Sequence, residues 1–306
     1  MKYYLGIDGG GTKTQYLISD EKLNIIAEYI GPTCHYMQCG YPELSRLLKE
    51  GILKVCNQAQ ISPEDITSAF IGCAGYGDTE GDKAPIEEAV RLGMCGIKFA
   101  IGNDCENALA GALGGADGIN IIAGTGSMAC GKVNGSDAIR CGGWHHALRS
   151  DEGSAYWISI KLLQEFTKQS DGRHERTSLY NAVKNRLQLE DDGDVITLVV
   201  TDWDLDRGKI ASLSPLCTEL YDAGEPCAIA IVKEAASELA DLAISIDRLL
   251  GHPENMTVSG TGGVFKMGDR LIQPLSKKLS EHNLTFKEPL YSPGQGSLIL
   301  ARNIDK

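Results

Sequence analysis

The heptapeptide DGGGTKT, residues 8–14, follows a short apolar stretch and decides how the first half of the chain can fold. Three consecutive glycines lose much backbone entropy on ordering, so they mark either a turn with positive φ angles or a loop that a ligand approaches closely. A P-loop would carry Lys directly after its last glycine and continue into a helix, but here Thr12 intervenes. The dinucleotide motif G-x-G-x-x-G also fails, because Thr14 takes the place of its third glycine.

The residues after the glycines predict a second strand rather than a helix. Thr14, Tyr16 and Ile18 alternate with other side chains at a period of two. The stretch is therefore a hairpin of two strands with Asp8 at the entrance of its glycine turn. Two interpretations stay open at this point: an ordinary β-hairpin turn, or a loop that holds a phosphate.

The composition is that of a large acidic protein. With 306 residues, of which 42% are hydrophobic, the chain can bury a sizeable core, and its length favours two domains over one. The net charge of −12 argues against a nucleic acid or an anionic membrane as a partner, since either would favour a basic face. The same charge repels a nucleotide, so a bound triphosphate would need a cation and backbone N–H groups aimed at it.

The cysteines and the hydropathy pattern predict a cytoplasmic protein. None of the 10 cysteines forms a C-x-x-C pair, and several lie inside apolar runs such as AFIGCAG, residues 69–75. Buried free thiols in a reducing compartment account for this usage. The N-terminus shows no charged-then-apolar leader, and no run of about 18 apolar residues occurs.

The predicted elements repeat once along the chain. Three strands followed by alternating helices and strands make up the first region, and at residue 119 the pattern restarts with INIIAGTGSMACGKV, again a strand, a glycine turn and a strand. Two such hairpins about one domain length apart indicate an internally duplicated α/β protein. The second half then runs mostly helical: its longest predicted helix begins at Pro226 and stops at Gly251, and SPGQGSLILARN forms a C-terminal helix.

Five segments in this order resemble the N-acetylglucosamine kinase branch of the BadF/BadG/BcrA/BcrD ATPase family, which belongs to the sugar kinase, heat-shock chaperone and actin superfamily. They read DGGGTKT, IGNDCENAL, IIAGTGSMACG, GGWHHALRSDEGSAYW and SGTGGVF. The resemblance extends from about residue 3 to residue 300, and its most specific element is DEGSAYW.

The resemblance implies two ribonuclease-H-like, actin-like ATPase domains with ATP and a sugar in the cleft between them. We expect an N-terminal domain over residues 1–116, joined by the C-terminal helix at about 293–306, and a C-terminal domain over residues 117–292. The cofactors that the resemblance implies are ATP and Mg²⁺, the small-molecule partner is an amino sugar, and the assembly is a homodimer. Closure of the domains on the sugar would prevent wasteful hydrolysis of ATP.

The two glycine hairpins match the phosphate loops of that superfamily, where backbone N–H groups form an anion-binding concavity. Asp8 matches the acid that holds Mg²⁺, through water. Gly262 and Gly263 match the adenosine motif, although a plain strand-to-helix turn is the alternative for both. The residues assigned to the nucleotide are Gly9, Gly10, Gly11, Thr12, Lys13, Gly124, Thr125, Gly126, Ser127, Gly224, Gly262 and Gly263.

Asp104 matches the catalytic acid of the family. It follows a predicted strand, and strand ends in α/β folds are where reactive side chains emerge. Phosphoryl transfer needs a group that orients and deprotonates the attacking hydroxyl, and this is the role assigned to Asp104. In the alternative interpretation, Asp104 only caps the helix predicted to begin at Glu106.

The segment GGWHHALRSDEGSAYW matches the sugar-binding segment of the family. A carboxylate such as Asp151 suits this task, because it accepts two sugar hydroxyls through charge-assisted hydrogen bonds. Glu152 is either a second such residue or an acid at an ordinary helix start. The residues assigned to the sugar are Cys34, His35, Gly143, Trp144, His145, Arg149, Asp151 and Glu152.

Two departures from the family pattern affect the predicted sugar. Cys34 stands where many relatives carry Asn, and a smaller thiol with weak hydrogen bonding would loosen that corner of the pocket. His145, His146 and Arg149 stand where relatives show glycine and apolar residues. Together these changes would suit an amino sugar with an added acid, such as the lactyl carboxylate of N-acetylmuramic acid. The alternative is that the three side chains form a solvated loop.

The sequence therefore predicts an ATP-dependent kinase that phosphorylates the C6 hydroxyl of N-acetylglucosamine, with N-acetylmuramic acid as a second candidate acceptor. A glucosamine kinase is one alternative. Another is an ATP-driven iron–sulfur activator of an acyl-CoA dehydratase or reductase, for which Cys130 and Cys141 would be available as ligands. Sugar kinases of the repressor, open-reading-frame and kinase family are a nearer alternative, but their zinc motif is absent here. A non-enzymatic sugar sensor is the remaining one.

Overall fold

A computed structural model describes residues 2–144, 146–148 and 150–305. The chain divides into two compact units: one comprises Met1–Asn120 and Glu288–Lys306, and the other comprises Ile121–Lys287. Within the described residues, no helix is both long and apolar enough to cross a membrane.

The first unit is built on a five-stranded mixed sheet. Its strands are β1 (Tyr3–Gly9), β2 (Lys13–Ser19), β3 (Ile25–Pro32), β4 (Ile66–Cys73) and β5 (Phe99–Gly102). The order across the sheet is β3-β2-β1-β4-β5. The first three strands pair antiparallel, whereas β1, β4 and β5 run parallel. The carboxyl ends of β1 and β5, which carry Asp8 and precede Asp104, therefore belong to the same parallel set.

The second unit repeats this strand order. Its strands are β6 (Gly118–Ala123), β7 (Ser127–Lys132), β8 (Ile139–Gly142), β9 (Thr257–Thr261) and β10 (Thr285–Phe286), arranged as β10-β9-β6-β7-β8. When β6 is matched with β1 and β7 to β10 with β2 to β5, the second order is that of the first sheet read from its opposite edge. The prediction of a duplicated α/β fold is therefore confirmed.

Helices follow the strands as the periodicity predicts. In the first unit they are α1 (Tyr36–Cys39), α2 (Tyr41–Ala59), α3 (Glu80–Gly93) and α4 (Asp104–Leu113). In the second they are α5 (Ala155–Ser170), α6 (Ser178–Leu187), α7 (Asp194–Ile196), α8 (Arg207–Ala211), α9 (Pro215–Asp222), α10 (Pro226–Leu249) and α11 (Asp269–Ser280). The last helix, α12 (Pro293–Asn303), is part of the first unit. The 24 residues of α10 confirm the predicted longest helix, with Pro226 in its first turn and Gly251 just beyond its end.

The first sheet is buried on both faces. Leu5, Ile7 and Ile18 contribute to one core together with Leu44 and Leu48 of α2. On the opposite face, alternate residues of the same strands meet α12 in a smaller core of Tyr4, Leu17, Phe70, Leu298 and Ala301. The period-two alternation of the strands therefore distributes apolar side chains to two separate cores.

Close backbone contact between α12 and α4 depends on glycine. A Cβ on Gly296 would lie 2.0 Å from the carbonyl oxygen of Asn107 and 2.4 Å from the amide nitrogen of Gly111. The hydroxyl of Ser68 on β4 donates to the carbonyl of Ala301, 2.8 Å away. These contacts fix α12 over the helix that begins at Asp104.

We predict that Gly296→Ala destabilises the protein by about 1–3 kcal/mol, because its methyl group would overlap the backbone of α4. The matched control is Gly81→Ala, an exposed helical position in α3 where a Cβ meets nothing within 4 Å. Alanine there should be neutral or stabilising by up to about 1 kcal/mol. Midpoints of thermal and urea unfolding measure both, and equal midpoints for the two variants would contradict the prediction.

Candidate functional site

In the first glycine turn, residues 9–13, the carbonyl groups are held by protein donors. The Thr33 hydroxyl donates to the Gly10 carbonyl at 2.8 Å, and the Gln38 amide nitrogen donates to the Gly11 carbonyl at 2.8 Å. Within the part of the chain that the structure describes, no group accepts a hydrogen bond from the amide of Gly11 or Thr12. The exposed end of this turn therefore presents amide donors.

The second glycine turn, residues 124–126, has the same polarity, meaning that its carbonyl groups are bonded within the protein and two of its amides have no described acceptor. The carbonyl of Gly124 accepts from the Ala155 amide at 2.9 Å, and that of Thr125 accepts from the Tyr156 amide at 3.3 Å. Both donors belong to the first turn of α5. Among the described residues, the amides of Thr125 and Gly126 have no acceptor. Successive amides that lack a protein acceptor form the kind of concavity that binds anions.

The backbone angles of the two turns correct one sequence-based expectation. Positive φ was one of two explanations for the glycines, but none of the five turn glycines has a positive φ angle: Gly9, Gly10, Gly11, Gly124 and Gly126. A Cβ on Gly11 or Gly124 would meet no atom within 4 Å. Glycine at these two positions is thus required neither by backbone conformation nor by packing within the chain. The second explanation, close approach of a ligand, remains.

Asp8 is oriented by a buried asparagine from α4. The Asn107 side-chain nitrogen donates to Asp8 Oδ1 at 2.8 Å and to the Ile7 carbonyl at 3.1 Å. Asn107 reaches Asp8 across β4 because Gly72 has no side chain, and a Cβ there would lie 2.2 Å from the Asn107 nitrogen. Burial raises the pKa of Asp8, while the Asn107 hydrogen bond and the charge of Lys13 lower it.

The chemistry at Asp8 fits a hydrated magnesium ion. No described residue donates to its second carboxylate oxygen, Oδ2. Mg²⁺ characteristically binds through one or two carboxylates, several waters and substrate phosphates rather than through a cage of protein ligands. The described residues contain no cluster of three or more His, Cys, Asp or Glu side chains able to hold a metal.

Asp104 is the first residue of α4 and does not cap it. The cap is Asn103, whose Oδ1 accepts from the Cys105 amide at 3.1 Å. Glu106 completes a capping box by accepting from the Asn103 amide at 2.9 Å. The alternative in which Asp104 caps the helix is therefore wrong. Its half-buried carboxyl group follows β5 directly, at the strand end that the sequence predicts.

The side chain of Cys34 is turned into the core. Cys34 is 1% exposed, and its Sγ lies 3.5 Å from the hydroxyl of Tyr16. Burial raises the pKa of this thiol. Its contact with a sugar stays a prediction, and the contacts in the structure do not support it. The neighbouring His35 caps α1 by accepting from the Met37 amide at 3.2 Å, and burial lowers the pKa of its imidazole.

The predicted sugar loop is only partly described. Gly143 has a φ of 73°, and Trp144 beside it is 74% exposed. The amide of Trp144 donates to the Ser150 hydroxyl at 3.3 Å. His145 and Arg149 lie outside the described residues. The role of this loop in binding a sugar therefore stays a prediction.

Asp151 is buried, and its carboxylate bonds both to the end of the second glycine turn and to an arginine that is far away in the sequence. It is 3% exposed and adopts a φ of 74°, a left-handed conformation that Asp tolerates better than most residues. Its Oδ1 accepts from the Ser127 amide at 3.1 Å, and its Oδ2 accepts from Arg207 at 2.7 Å. Each carboxylate oxygen retains a further lone pair beyond these bonds.

Glu152 is fixed through its backbone. Its carbonyl accepts from the Ser127 hydroxyl at 2.6 Å. The cap of α5 is Ser154, so Glu152 lies before the helix and outside its first turn. The helix-start explanation for this acid is therefore not supported. Burial raises the pKa of Glu238, and the nearby charge of Glu152 raises it further.

Three glycines assigned to the nucleotide lie outside the two turns, and they differ in whether the fold itself needs glycine at that position. Gly262 has a φ of 106°, and its Cβ would lie 2.3 Å from the Ala123 carbonyl, so it allows the 261–263 loop to contact the end of β6. A Cβ on Gly263 would meet open space. Gly224 has a φ of 78° just beyond α9, which accounts for glycine as a helix terminator. Contact of each with a nucleotide stays a prediction.

The structure thus assembles two sets of predicted residues, one in each unit. Sequence reasoning missed four side chains that support them: Thr33, Gln38, Asn107 and Arg207. Thr33 and Gln38 lie close in sequence to Cys34 and His35, which the sequence assigns only to a sugar contact. Asn107 had a usable signal, since it is a polar residue in the otherwise apolar helix face of ENALAGAL. Nothing in the local sequence identifies Arg207.

The family model described as the BadF/BadG/BcrA/BcrD ATPase family matches residues 5–301. An N-acetylmuramic acid/N-acetylglucosamine kinase from Clostridium acetobutylicum is 34% identical over 282 residues, covering 92% of this chain and 91% of that protein. An N-acetyl-D-glucosamine kinase from Dictyostelium discoideum is 32% identical, covering 99% and 98%. The crystal structure of a candidate N-acetylglucosamine kinase from Chromobacterium violaceum superposes with a TM-score of 0.76 at 22% identity, covering 98% and 99%, and shows likeness of fold.

Of the two cysteines that the sequence offers as ligands of an iron–sulfur cluster, one is buried and the other is partly exposed. Cys130 and Cys141 lie on the neighbouring strands β7 and β8. Cys130 is completely buried, so its thiol does not reach the protein surface where a second chain would supply ligands. Cys73 and Cys217 are likewise buried, and burial raises the pKa of each thiol to about 12.

We predict that Cys73 and Cys217 resist alkylation by iodoacetamide at pH 8 in the folded protein. Because the pKa of each thiol is about 12, both thiols stay protonated at the pH of the reaction. Only the thiolate reacts with iodoacetamide. Peptide mapping by mass spectrometry gives the extent of reaction, and urea-unfolded protein, in which all 10 cysteines should react, is the control. Equal labelling of Cys73 in folded and unfolded protein would contradict the described burial.

Proposed function

The chain belongs to the BadF/BadG/BcrA/BcrD ATPase family and is an ATP-dependent sugar kinase, and on this premise we propose that it phosphorylates the C6 hydroxyl of N-acetylglucosamine with Asp104 as general base. N-acetylmuramic acid is proposed as a second acceptor. Glucosamine is the alternative acceptor. We also propose Mg²⁺ as the metal, a homodimer as the assembly and the cytoplasm as the location.

The observation that carries the proposal is the shared polarity of the two glycine turns. Each unit offers one turn whose carbonyl groups are held by protein donors and whose amides at Gly11 and Thr12, or at Thr125 and Gly126, have no described acceptor. A triphosphate supplies the acceptors that these amides lack. In a chain with a net charge of −12, such local donors must offset the long-range repulsion of the nucleotide.

Asp104 would act on the attacking hydroxyl. Its position after β5 and at the start of a 10-residue helix places a carboxyl group near the positive end of the helix dipole. The carboxylate would orient the C6 hydroxyl and take its proton as the bond to phosphorus forms. Because Asn103 and Glu106 stabilise the helix start, Asp104 has no capping task.

Asp8 would hold the metal through water. Asn107 fixes one carboxylate oxygen and leaves the other for a water of the hydrated ion. Bound Mg²⁺ would neutralise charge on the β- and γ-phosphate oxygens. Lys13, exposed beside the turn, would add a second positive charge near the phosphates.

The sugar would be held by the 143–152 segment. Asp151 retains lone pairs for hydroxyl groups, and the exposed ring of Trp144 offers an apolar face. A sugar with a lactyl group adds a carboxylate, for which we propose the side chains of His145 and Arg149. His146 lies in a short turn with its ring against Tyr156, at 5.1 Å between centroids.

Asp104→Asn should lower kcat with N-acetylglucosamine by about 10²-fold or more, because the amide cannot accept the hydroxyl proton. The thermal midpoint should stay close to that of the wild type, since Asn103 caps the helix. Asp65→Asn is the control, because Asp65 only closes a surface turn by accepting from the Ser62 amide. Coupled-enzyme kinetics measures both variants. An Asp104→Asn enzyme with kcat near that of the wild type would refute the assigned base.

Arg149→Ala should lower kcat/KM for N-acetylmuramic acid by about tenfold or more and leave that for N-acetylglucosamine nearly unchanged, since only the former has a carboxylate to pair. Arg173→Ala is the control, an exposed arginine of the same unit paired with Asp171. A panel containing glucosamine and both acetylated sugars identifies the preferred acceptor. Equal losses for the two acetylated sugars, or no loss for either, would remove the carboxylate role.

A further inference from the structure

Arg207 lies against the second glycine turn, and the sequence gives no reason to expect a cation there. Its Nη2 donates to Asp151 Oδ2 at 2.7 Å. A Cβ on Gly126 would lie 1.8 Å from the same nitrogen and 3.0 Å from the guanidinium carbon. A side chain at position 126 would displace the guanidinium from this place, whereas a Cβ on Gly124 would meet open space.

Most of the hydrogen-bonding capacity of Arg207 is unused. A guanidinium group has five N–H donors in a planar fork. Within residues 2–144, 146–148 and 150–305, the structure gives Arg207 a single acceptor, Asp151, and its Nε is buried without a partner. The side chain is about one third exposed, so part of its fork is open to a ligand.

Asp151 fixes this guanidinium relative to the turn. One of its oxygens accepts from the Ser127 amide and the other from Arg207, so a single buried carboxylate ties the cation to the backbone of the turn. The adjacent amides of Thr125 and Gly126 have no described acceptor. A cation and two amide donors thus lie together, which is the donor set that binds phosphate oxygens.

The backbone before Arg207 adopts an unusual conformation. A π-helix spans Thr197–Asp202, and Asp204 and Leu205 follow with φ angles of 51° and 54°. Asp206 then accepts from the Lys209 amide at 2.7 Å and starts α8 with Arg207 as its first residue. Two consecutive left-handed residues other than glycine are unfavourable, and π-helical turns and such strain concentrate at functional sites.

From these observations we propose that Arg207 binds the terminal phosphate groups of the nucleotide at the second glycine turn. Asp151 positions the guanidinium, and its remaining N–H groups bond phosphate oxygens together with the amides of Thr125 and Gly126. This inference rests on the proposed use of ATP and adds a residue to the phosphate site. In the rival explanation, Arg207 only neutralises Asp151 and touches no ligand.

The test measures nucleotide binding by calorimetry in the absence of sugar, with magnesium present, for ATP, ADP and AMP. Arg207→Met should raise the dissociation constant of ATP by about tenfold or more and change that of AMP by less than about twofold. Neither change should become larger when the salt concentration is raised. Arg207→Lys should recover part of the ATP affinity, because it restores the charge without the fork. Lys209→Met, an exposed cation on the same helix, is the matched control and should bind ATP as the wild type does.

The outcomes separate the inference from the function on which it rests. Failure of the wild-type protein to bind ATP would overturn the proposed function. Normal ATP binding by Arg207→Met, or equal weakening of ATP and AMP, would overturn the role of Arg207 while leaving the kinase intact. If Arg207→Met fails to fold because Asp151 is left as an unpaired buried charge, the double variant Asp151→Asn/Arg207→Met removes that charge and gives the same comparison.

Discussion

Both glycine turns keep their carbonyl groups bonded inside the protein and leave amides without a described acceptor, and this shared arrangement limits what the candidate site can bind. A backbone amide and a backbone carbonyl are obligatory hydrogen-bonding groups, and whichever is bonded inside the protein determines what the turn offers outside. Thr33 and Gln38 hold the carbonyls of the first turn, while the start of α5 holds those of the second. The amides are thereby left for an anion. A side chain at position 11 or 124 would extend into open space, which the proposed function assigns to the nucleotide.

The same logic explains why polar residues lie in otherwise apolar elements. Asn107 is fully buried in α4, a position where an amide is unfavourable unless it is bonded, and its bonds go to the β1 backbone and to Asp8. Gly72 is required so that this side chain can cross β4. In the second unit, Asp151 is buried in a left-handed conformation and is stabilised by Ser127 and Arg207. In both units, hydrogen bonds from other residues hold a carboxylate to which the proposed function assigns a role.

Because the chain carries a net negative charge, these local hydrogen-bond donors are important for the binding of an anion. A net charge of −12 disfavours the approach of any polyanion, so affinity for a nucleotide has to come from short-range donors and from a metal. A guanidinium beside one turn, a lysine beside the other and four amides without described acceptors supply such donors. Short-range bonds of this kind are also directional, and directional bonds position a phosphate for in-line attack better than diffuse attraction does.

Sequence patterns alone predict the duplicated α/β fold, the extent of the longest helix, the two glycine turns and the placement of Asp104 at a strand end. These features follow from local signals: the period of apolar residues, the glycine clusters, and prolines and glycines at helix ends. Only the tertiary structure decided that Asn103 rather than Asp104 caps α4, that Cys34 is turned into the core, and that Asn107 and Arg207 support the site. Arg207 lies 56 residues from Asp151, and Asn107 lies 99 residues from Asp8. Such pairings depend on how sheets and helices pack. The period of apolar residues along the chain does not indicate which side chain, far away in the sequence, will lie beside a given glycine.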